Sequence, residues 1–440
     1  MYRKLFFITV FMVLLGGCGV NNSVDDVMRP PKLSITEEKV KNEIDNILEG
    51  GGELVTPLKG DNMSSVNFKD LDKDGKEEIF ILYKTNKDYP LRILILSRRN
   101  NGWYKDNTIK GIGHNFDMID FKDITGNGNS EILVTYNGGE YNNKVINIYS
   151  YGKENINNIF NNTYEKIACQ NLDHDGAIEL VLIKLDKLKG PRAQLYRGDG
   201  NKINLINEVK LDKRVIGYYN ILIGNPKSNT KGLFIDGSIL EYASITELLV
   251  VDKGKLKNVF YDKNTGIVDK TYREYYCLSE DIDDDGFIEI PKLRRPRGYE
   301  GKDFNLVPWI YSWYSWDGSE GLDIESEGYH NLNQGYYFEF PQKWDYNITL
   351  NHIYKNLEKD MLIFSYLYNN KAHHIFTITT FKVETWNSLN KEKKEGYMEL
   401  ARSKDKIYLV SFSNKKYKNK EIRNKVIGID EIKNNLKILY

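Results

Sequence analysis

From about Glu53 onward, apolar and polar residues alternate with the two-residue period of half-buried strands, and turn residues interrupt the alternation at short intervals. The first such stretch predicts four strands, at 65–69, 78–83, 91–97 and 103–109. The pattern ahead of it differs. Val40, Ile44 and Leu48 recur at helical spacing, Ser34 or Thr36 can cap, and Glu37 and Glu38 suit a first turn. A helix over 34–48 is expected, stopped by Gly50, Gly51 and Gly52.

Between the first and second strands of that stretch lies an acidic turn that the chain repeats. It reads NFKDLDKDGKEEIFIL at 67–82, DFKDITGNGNSEILV at 120–134, CQNLDHDGAIELVLI at 169–183 and SEDIDDDGFIEI at 279–290. Asp70, Asp123 and Asn171 lie roughly 50 residues apart, and Asp281 follows after about twice that gap, a spacing in the range of blade-like repeats. The skipped copy falls at 218–238, where Asn225 and Asn229 stand in ligand positions and the acids are lost. Five repeats of four strands predict a mainly β chain built as a five-bladed β-propeller over 52–334.

The turn follows D-x-D-x-D-G-x-x-E. Odd positions turn oxygens toward the inside of a tight loop, glycine permits the bend, and glutamate closes the ring. Calcium takes six to eight such hard oxygens. An EF-hand is excluded, because the closing Glu falls at position nine and strands flank the loop. Asp- and Asn-rich turns form without metal as well, so a single copy would decide nothing. At these four loops the chain resembles the FG-GAP/VCBS repeats, the propeller type that includes integrin α-subunit heads. The resemblance implies four calcium sites. The first is Asp70, Asp72, Asp74 and Glu78 with the carbonyl of Lys76; the fourth is Asp281, Asp283, Asp285 and Glu289 with that of Phe287. The third is Asn171, Asp173, Asp175 and Glu179 with the carbonyl of Ala177, and the second is Asp123, Thr125, Asn127 and Glu131 with that of Asn129. Ligand charge ranks the first and fourth ahead of the third, and the second last. Such calcium is expected to be structural, since crowded carboxylates repel until a cation offsets them. Ring closure has two candidates, the segment at 52–57 as a strand of the last blade and the segment at 321–326.

After Gln334 the acidic signature stops. Strands are expected at 336–340, 348–352, 361–368, 374–383 and 406–412, with helices at 388–403 and 425–439, giving a small α+β accessory domain over 335–440 that folds by itself. Just before it, Trp309, Tyr311 and Trp313 alternate onto one strand face and Tyr314 and Trp316 onto the other. Core packing between blades explains them; a stacking face for sugars or a partner is the sharper alternative. Arg294, Arg295 and Arg297 are expected in a solvated loop, or else on an anionic polymer.

At 440 residues two domains are natural. Basic and acidic residues balance at 62 each, which argues against a nucleic-acid partner. Arg3 and Lys4 precede an apolar run at 5–15 too short to span a bilayer, and Cys18 follows Leu15-Gly16-Gly17. This resembles a bacterial lipoprotein signal peptide over 1–17, which implies lipidation of Cys18, a tether reaching 51 and anchoring on the extracytoplasmic face of the membrane. Cys169 and Cys277 are expected to be buried free thiols, and His373 and His374 face opposite ways on a strand. No H-E-x-x-H, G-x-S-x-G or phosphate loop is present. The expected role is a calcium-binding platform for a protein or envelope polysaccharide; the alternative is a lyase or hydrolase of the cell envelope.

Overall fold

The computed structural model describes residues 35–86, 90–99, 102–138, 144–152, 155–226, 231–319, 321–356, 359–413 and 417–439. Cys18 and Asn229 lie outside them. The chain is mainly β, with antiparallel sheets following one another in sequence order. A helix, α1 (Ile35–Glu49), leads in and packs Val40, Ile44 and Ile47 on the first sheet.

The first sheet contains β1 (Glu53–Leu54), β2 (Val66–Lys69), β3 (Glu78–Lys84), β4 (Leu91–Arg99) and β5 (Gly102–Gly111). The second contains β6 (Asn115–Lys122), β7 (Glu131–Asn137), β8 (Lys144–Tyr151) and β9 (Ile156–Tyr164). The third runs β10 (Lys166–Gln170), β11 (Glu179–Asp186), β12 (Gly190–Gly198) and β13 (Ile203–Lys210). The fourth runs β14 (Gly217–Gly224), β15 (Gly232–Ser238), β16 (Ser244–Asp252) and β17 (Lys255–Asn258). In β3, β7, β11 and β15 the first five residues are all buried, without alternation. A strand covered on both faces must read this way.

The fifth sheet orders β18 (Ile290–Arg294), β19 (Ile310–Trp316), β20 (Leu322–Asn331) and β21 (Tyr336–Glu339), then β27 (Leu436–Ile438). Ahead of its acidic loop there is only a bridge, Glu280 to Glu289, so Cys277 is not in a strand. The sixth sheet orders β22 (Ile348–Asn356), β23 (Lys359–Tyr368), β24 (Lys371–Lys382), β26 (Lys406–Phe412) and β25 (Met398–Arg402).

Three expectations are corrected. The segment at 52–57 does not complete the last sheet: β1 pairs with Tyr83 and Lys84 of β3, on the edge whose other half holds β2. The segment at 321–326 lies mostly in β20, inside the fifth sheet. Among the described residues no strand of the first sheet pairs with the fifth or sixth.

Secondly, the boundary expected after Gln334 runs through a sheet, because Tyr336–Glu339 pairs with β20 on one side and β27 on the other. Ile310 and Tyr329 of the fifth sheet share one core with Phe338, Trp344, Phe364 and Phe376. Thirdly, the helix expected at 388–403 is replaced by α2 (Val383–Ser388), α3 (Lys391–Lys394) and β25, whose edge pairing with β26 outweighs the local helical pattern. The one at 425–439 becomes α4 (Lys420–Lys425), α5 (Ile429–Asn434) and β27.

A buried ion-pair network and a buried hydrogen-bonded carboxyl hold irregular stretches to the fourth sheet. Arg273 pairs with Asp236 at 2.9 Å, and Asp236 also accepts from Thr246, Ser279 and Asn220. Glu247 accepts from Tyr218, Asn258 and the Asp212 N–H, and burial pushes its carboxyl up to about 8.

Candidate metal loops and an aromatic pocket

The four acidic loops share one backbone. Their fourth position is left-handed in every copy: Lys73 at φ 55°, Gly126 at 74°, His174 at 62° and Asp284 at 63°. The glycine two residues on is left-handed as well, at 84°, 94°, 94° and 88° for Gly75, Gly128, Gly176 and Gly286. A non-glycine residue there is strained unless its surroundings fix it. Hydrogen bonds do so identically. The N–H groups of Lys76, Asn129, Ala177 and Phe287 donate to the side chains of Asp74, Asn127, Asp175 and Asp285 at 2.8, 2.7, 2.9 and 2.8 Å. The closing glutamates accept from the N–H of Leu71, Ile124, Leu172 and Ile282 at 3.0, 2.8, 2.7 and 3.1 Å. Gly75, Gly128 and Gly286 donate to Asp70, Asp123 and Asp281.

Electrostatics separates what the backbone unites. In the first loop Asp70, Asp72 and Glu78 offer oxygens within 4.8 Å of one another, and Asp281, Asp283 and Asp285 do so in the fourth. Burial first, and then the neighbouring aspartates, push Glu78 and Glu289 up to about 7. Lys76 reaches only Asp74, at 3.9 Å on the exposed side. Among the described residues no ion pair touches the fourth loop. Asp70 Oδ1 is shut from solvent without a hydrogen-bond partner, as are Asp123 Oδ1 and Asn171 Oδ1. In loop one an orphaned acceptor lies beside the clustered carboxylates, and in loop four the cluster stands without an ion pair among the described residues; both oxygen sets fit a hard cation.

Loop three holds its own cation. Arg197 of β12 lies 2.6 Å from Asp173, 3.0 Å from Asp175 and 2.5 Å from Glu179. A guanidinium among all three carboxylates meets the charge that metal would otherwise offset. Burial raises Glu179, with Arg197 opposing; Asp175 is held low first by the Ala177 N–H and then by Arg197. Loop two is satisfied differently. Glu131 accepts from Ile124 N, Thr125 N and the Thr125 hydroxyl, the last at 2.8 Å. In the degenerate fourth copy, Asn225 accepts from Ile288 N and its amide donates to Gly286 O, so it links the fourth sheet to the last loop.

The remaining sequence candidates are held by packing and hydrogen bonds. Trp313 and Trp316 are buried, Trp316 in a core shared with the third and fourth sheets. Trp309 precedes β19 rather than lying in it, and its Nε1 donates to Phe304 O. Arg294 grips Glu327 bidentately, Arg295 pairs with Glu274 and covers the Trp309 ring at 4.7 Å, and Arg297 donates to Asn347. None of the three is a loosely solvated charge. Cys169 and Cys277 are free, the first buried and the second half-buried, and burial pushes both thiols up to about 12. His373 packs on Tyr417, while His374 meets the Thr377 hydroxyl at 2.9 Å.

Two cavities take shape only in the fold. A polar cavity of about 420 Å³ lies between the second and third sheets. There Lys184 donates to Asn162 at 2.5 Å, and burial, with Arg192 adding, brings its amine down to about 8. A second cavity, of about 290 Å³, opens at the seam of the fifth and sixth sheets, where Tyr329 and His330 of β20 meet His352 of β22 beside Trp309 and Tyr311. His352 and Asp360 sit in separate strands, and only the pairing of β22 with β23 brings them together.

No protein-family model matches the chain, and no curated protein matches it in sequence. Among solved structures it is similar to a protein from Lactobacillus plantarum at 10% identity and TM-score 0.31, covering 72% of this chain and 85% of that one. It is similar to an exotype rhamnogalacturonan lyase at 10% identity and TM-score 0.28, covering 73% and 66%. An exo-beta-1,3-galactanase from Phanerochaete chrysosporium matches at 11% identity and TM-score 0.23, covering 76% and 80%. Scores this low carry no argument about activity.

Proposed function

We propose that the protein is a lipid-anchored, extracytoplasmic β-propeller of five FG-GAP/VCBS-type blades whose first and fourth acidic loops hold calcium, and that it serves as a rigid binding platform. The observation that carries the metal is the contrast among loops of one backbone. Asp70, Asp72 and Glu78, and likewise Asp281, Asp283 and Asp285, crowd together with no internal cation, whereas Arg197 fills that role in loop three. Bound calcium would supply the positive charge that these carboxylates lack, and so fasten the first two strands of each blade together. Asp74 and Glu289 complete the oxygen sets.

Anchoring rests on Cys18 after Leu15-Gly16-Gly17 and the short apolar run before it. Several acyl chains on one cysteine hold a protein stably at a bilayer. Expressed in a bacterium with its own leader, the chain is expected to partition with membranes, and Cys18→Ala to release or stall it; equal membrane association of the variant overturns the anchor. For the metal, a melting curve is recorded with chelator, with Ca²⁺ and with Mg²⁺. Ca²⁺ restores the transition and Mg²⁺, which demands a tighter octahedron, does not. A curve indifferent to chelator reduces the loops to turns.

A further inference from the structure

The cavity at the seam of the fifth and sixth sheets has one aromatic wall and one polar end. Trp309 and Tyr311 form the wall. Trp309 is fixed from behind by Arg295, 4.7 Å over its ring, and at its edge by the bond to Phe304 O, so its orientation is set before any ligand arrives. Tyr311 is packed against His330, with ring centroids 4.6 Å apart. At the polar end Asp360, almost fully buried, lies 2.6 Å from His352 Nε2 and accepts from Asn331 through its other oxygen. The Asp360 carboxylate on Nε2 fixes the orientation of the ring. The Tyr329 hydroxyl is 3.5 Å from Nδ1, a separation loose enough for a ligand hydroxyl to compete for both. His330 Nε2 is shut from solvent without a partner. Burial brings that ring down to about 4, so it is neutral at ordinary pH.

Among the described residues that line this space there is no lysine, arginine or carboxylate. Arg295 is engaged by Glu274, Tyr299 O and Lys302 O, and Asp360 by His352 and Asn331. The recognisable ligand is therefore neutral, with one apolar face to stack and hydroxyls at its rim. Its volume, about 290 Å³, stands at the small end of ligand pockets and suits a single ring.

Outside the pocket the aromatic surface continues. Phe304, whose carbonyl braces Trp309, stacks on Tyr242 at 4.3 Å and approaches Tyr275 at 5.8 Å; Tyr275 adjoins Tyr276 at 6.2 Å. Tyr242, Tyr275 and Tyr276 are each about 40% exposed. Large aromatic rings grouped at the surface mark a contact site, and sugars are among the ligands that rings of this kind stack upon.

We propose that the Trp309–Tyr311–His352 pocket and the tyrosine track beside it bind a neutral polysaccharide, with one pyranose ring in the pocket and its neighbours laid across Tyr275 and Tyr276. This deepens the platform reading by naming the ligand, and it does not depend on calcium. The full-length protein is run through native gels containing soluble neutral glucans, galactans or mannans, with polygalacturonate as the charged comparison. Retardation by at least one neutral polymer is expected. The surface double variant Tyr275→Ala/Tyr276→Ala and the pocket variant His352→Gln should each weaken it about tenfold, the loss of one good contact. Leu188→Ala, at a fully exposed loop tip, should not. Retardation by polygalacturonate alone, by no polymer, or equally for all variants overturns the inference. If that occurs while the calcium-dependent melting survives, the ligand assignment falls and the metal assignment stands.

Discussion

The first and third loops share carboxylates at three places of one backbone, Asp72, Asp74 and Glu78 in one and Asp173, Asp175 and Glu179 in the other, with Asp70 answered by Asn171, yet only the third has a cation among all three, Arg197. Left-handed Lys73 and His174 occupy the same place, and both closing glutamates accept from the N–H one residue into the loop. The difference teaches that the repeat conserves a geometry of crowded oxygens rather than a single means of neutralising them. An arginine offsets the charge in loop three and a hydroxyl and two amides satisfy the glutamate in loop two, whereas among the described residues no cation sits within the clustered carboxylates of loops one and four. The ranking by ligand charge missed this, because Arg197 lies a full strand beyond the loop that it serves.

The strongest way to break the comparison is to remove Arg197. Arg197→Met leaves Glu179 buried and unpaired, which should cost about 3 kcal/mol without metal. Added Ca²⁺ should recover most of that loss, and titration calorimetry should count one more site than in the wild type. If the variant is destabilised but binds no additional calcium, the likeness between loops three and one is confined to the backbone.

Next in size is metal removal. A ligand bound only by the folded state at a hundredfold excess over Kd stabilises by about 2.7 kcal/mol. Stripping the wild type should lower its melting temperature, and Asp72→Ala or Asp283→Ala should each abolish one site's share. An unchanged calcium response in both variants would place the metal elsewhere.

The pH dependence sharpens the contrast further. Glu78 and Glu289 are raised from 4.5 to about 7 by burial and by neighbouring aspartates. A carboxyl raised in the folded state contributes stability that is complete below its unfolded pKa and lost as pH climbs through about 7. Metal-free protein should therefore weaken between about pH 4.5 and 7, by the same linkage. Saturating Ca²⁺ should flatten the slope, because the cation takes the proton's place. Chemical denaturation at a series of pH values measures both curves, and parallel slopes would contradict the assignment.

The smallest effect belongs to loop two. Thr125→Ala deletes a hydroxyl bond to Glu131 and should cost about 1.5 kcal/mol, typical of a hydrogen bond to a charged group. The calcium response should stay as in the wild type. A reduced response would return loop two to the metal set.

How far these features are legible in the sequence follows from how local they are. The strands β2 to β5 of the first sheet, the helix at its entry and the acidic loops depend on near neighbours, and the residues announce them. The strand at 406–412 matches its expected limits for the same reason. Arg197, the His352–Asp360 pair and the Glu247 cluster are products of strand pairing and sheet packing, with nothing in the local pattern to mark them. The stretch at 398–402 reads as helix and becomes a strand because β26 presents it with an open edge. Spacing groups Trp309 with Trp313, but the strand begins at Ile310, and Trp309 lines the cavity instead.

The pairing of Tyr336–Phe338 with Leu436–Ile438 has a consequence for the order in which the molecule is made. A chain emerging from the ribosome can complete its first four sheets from contiguous sequence, each as it appears. The fifth must wait with Tyr336, Tyr337 and Phe338 short of a neighbour until a strand about a hundred residues downstream has been synthesised, since long-range pairing is slow and its unpaired edge is sticky. That edge is where a helper protein, or a nascent copy of the same chain, would be expected to intervene.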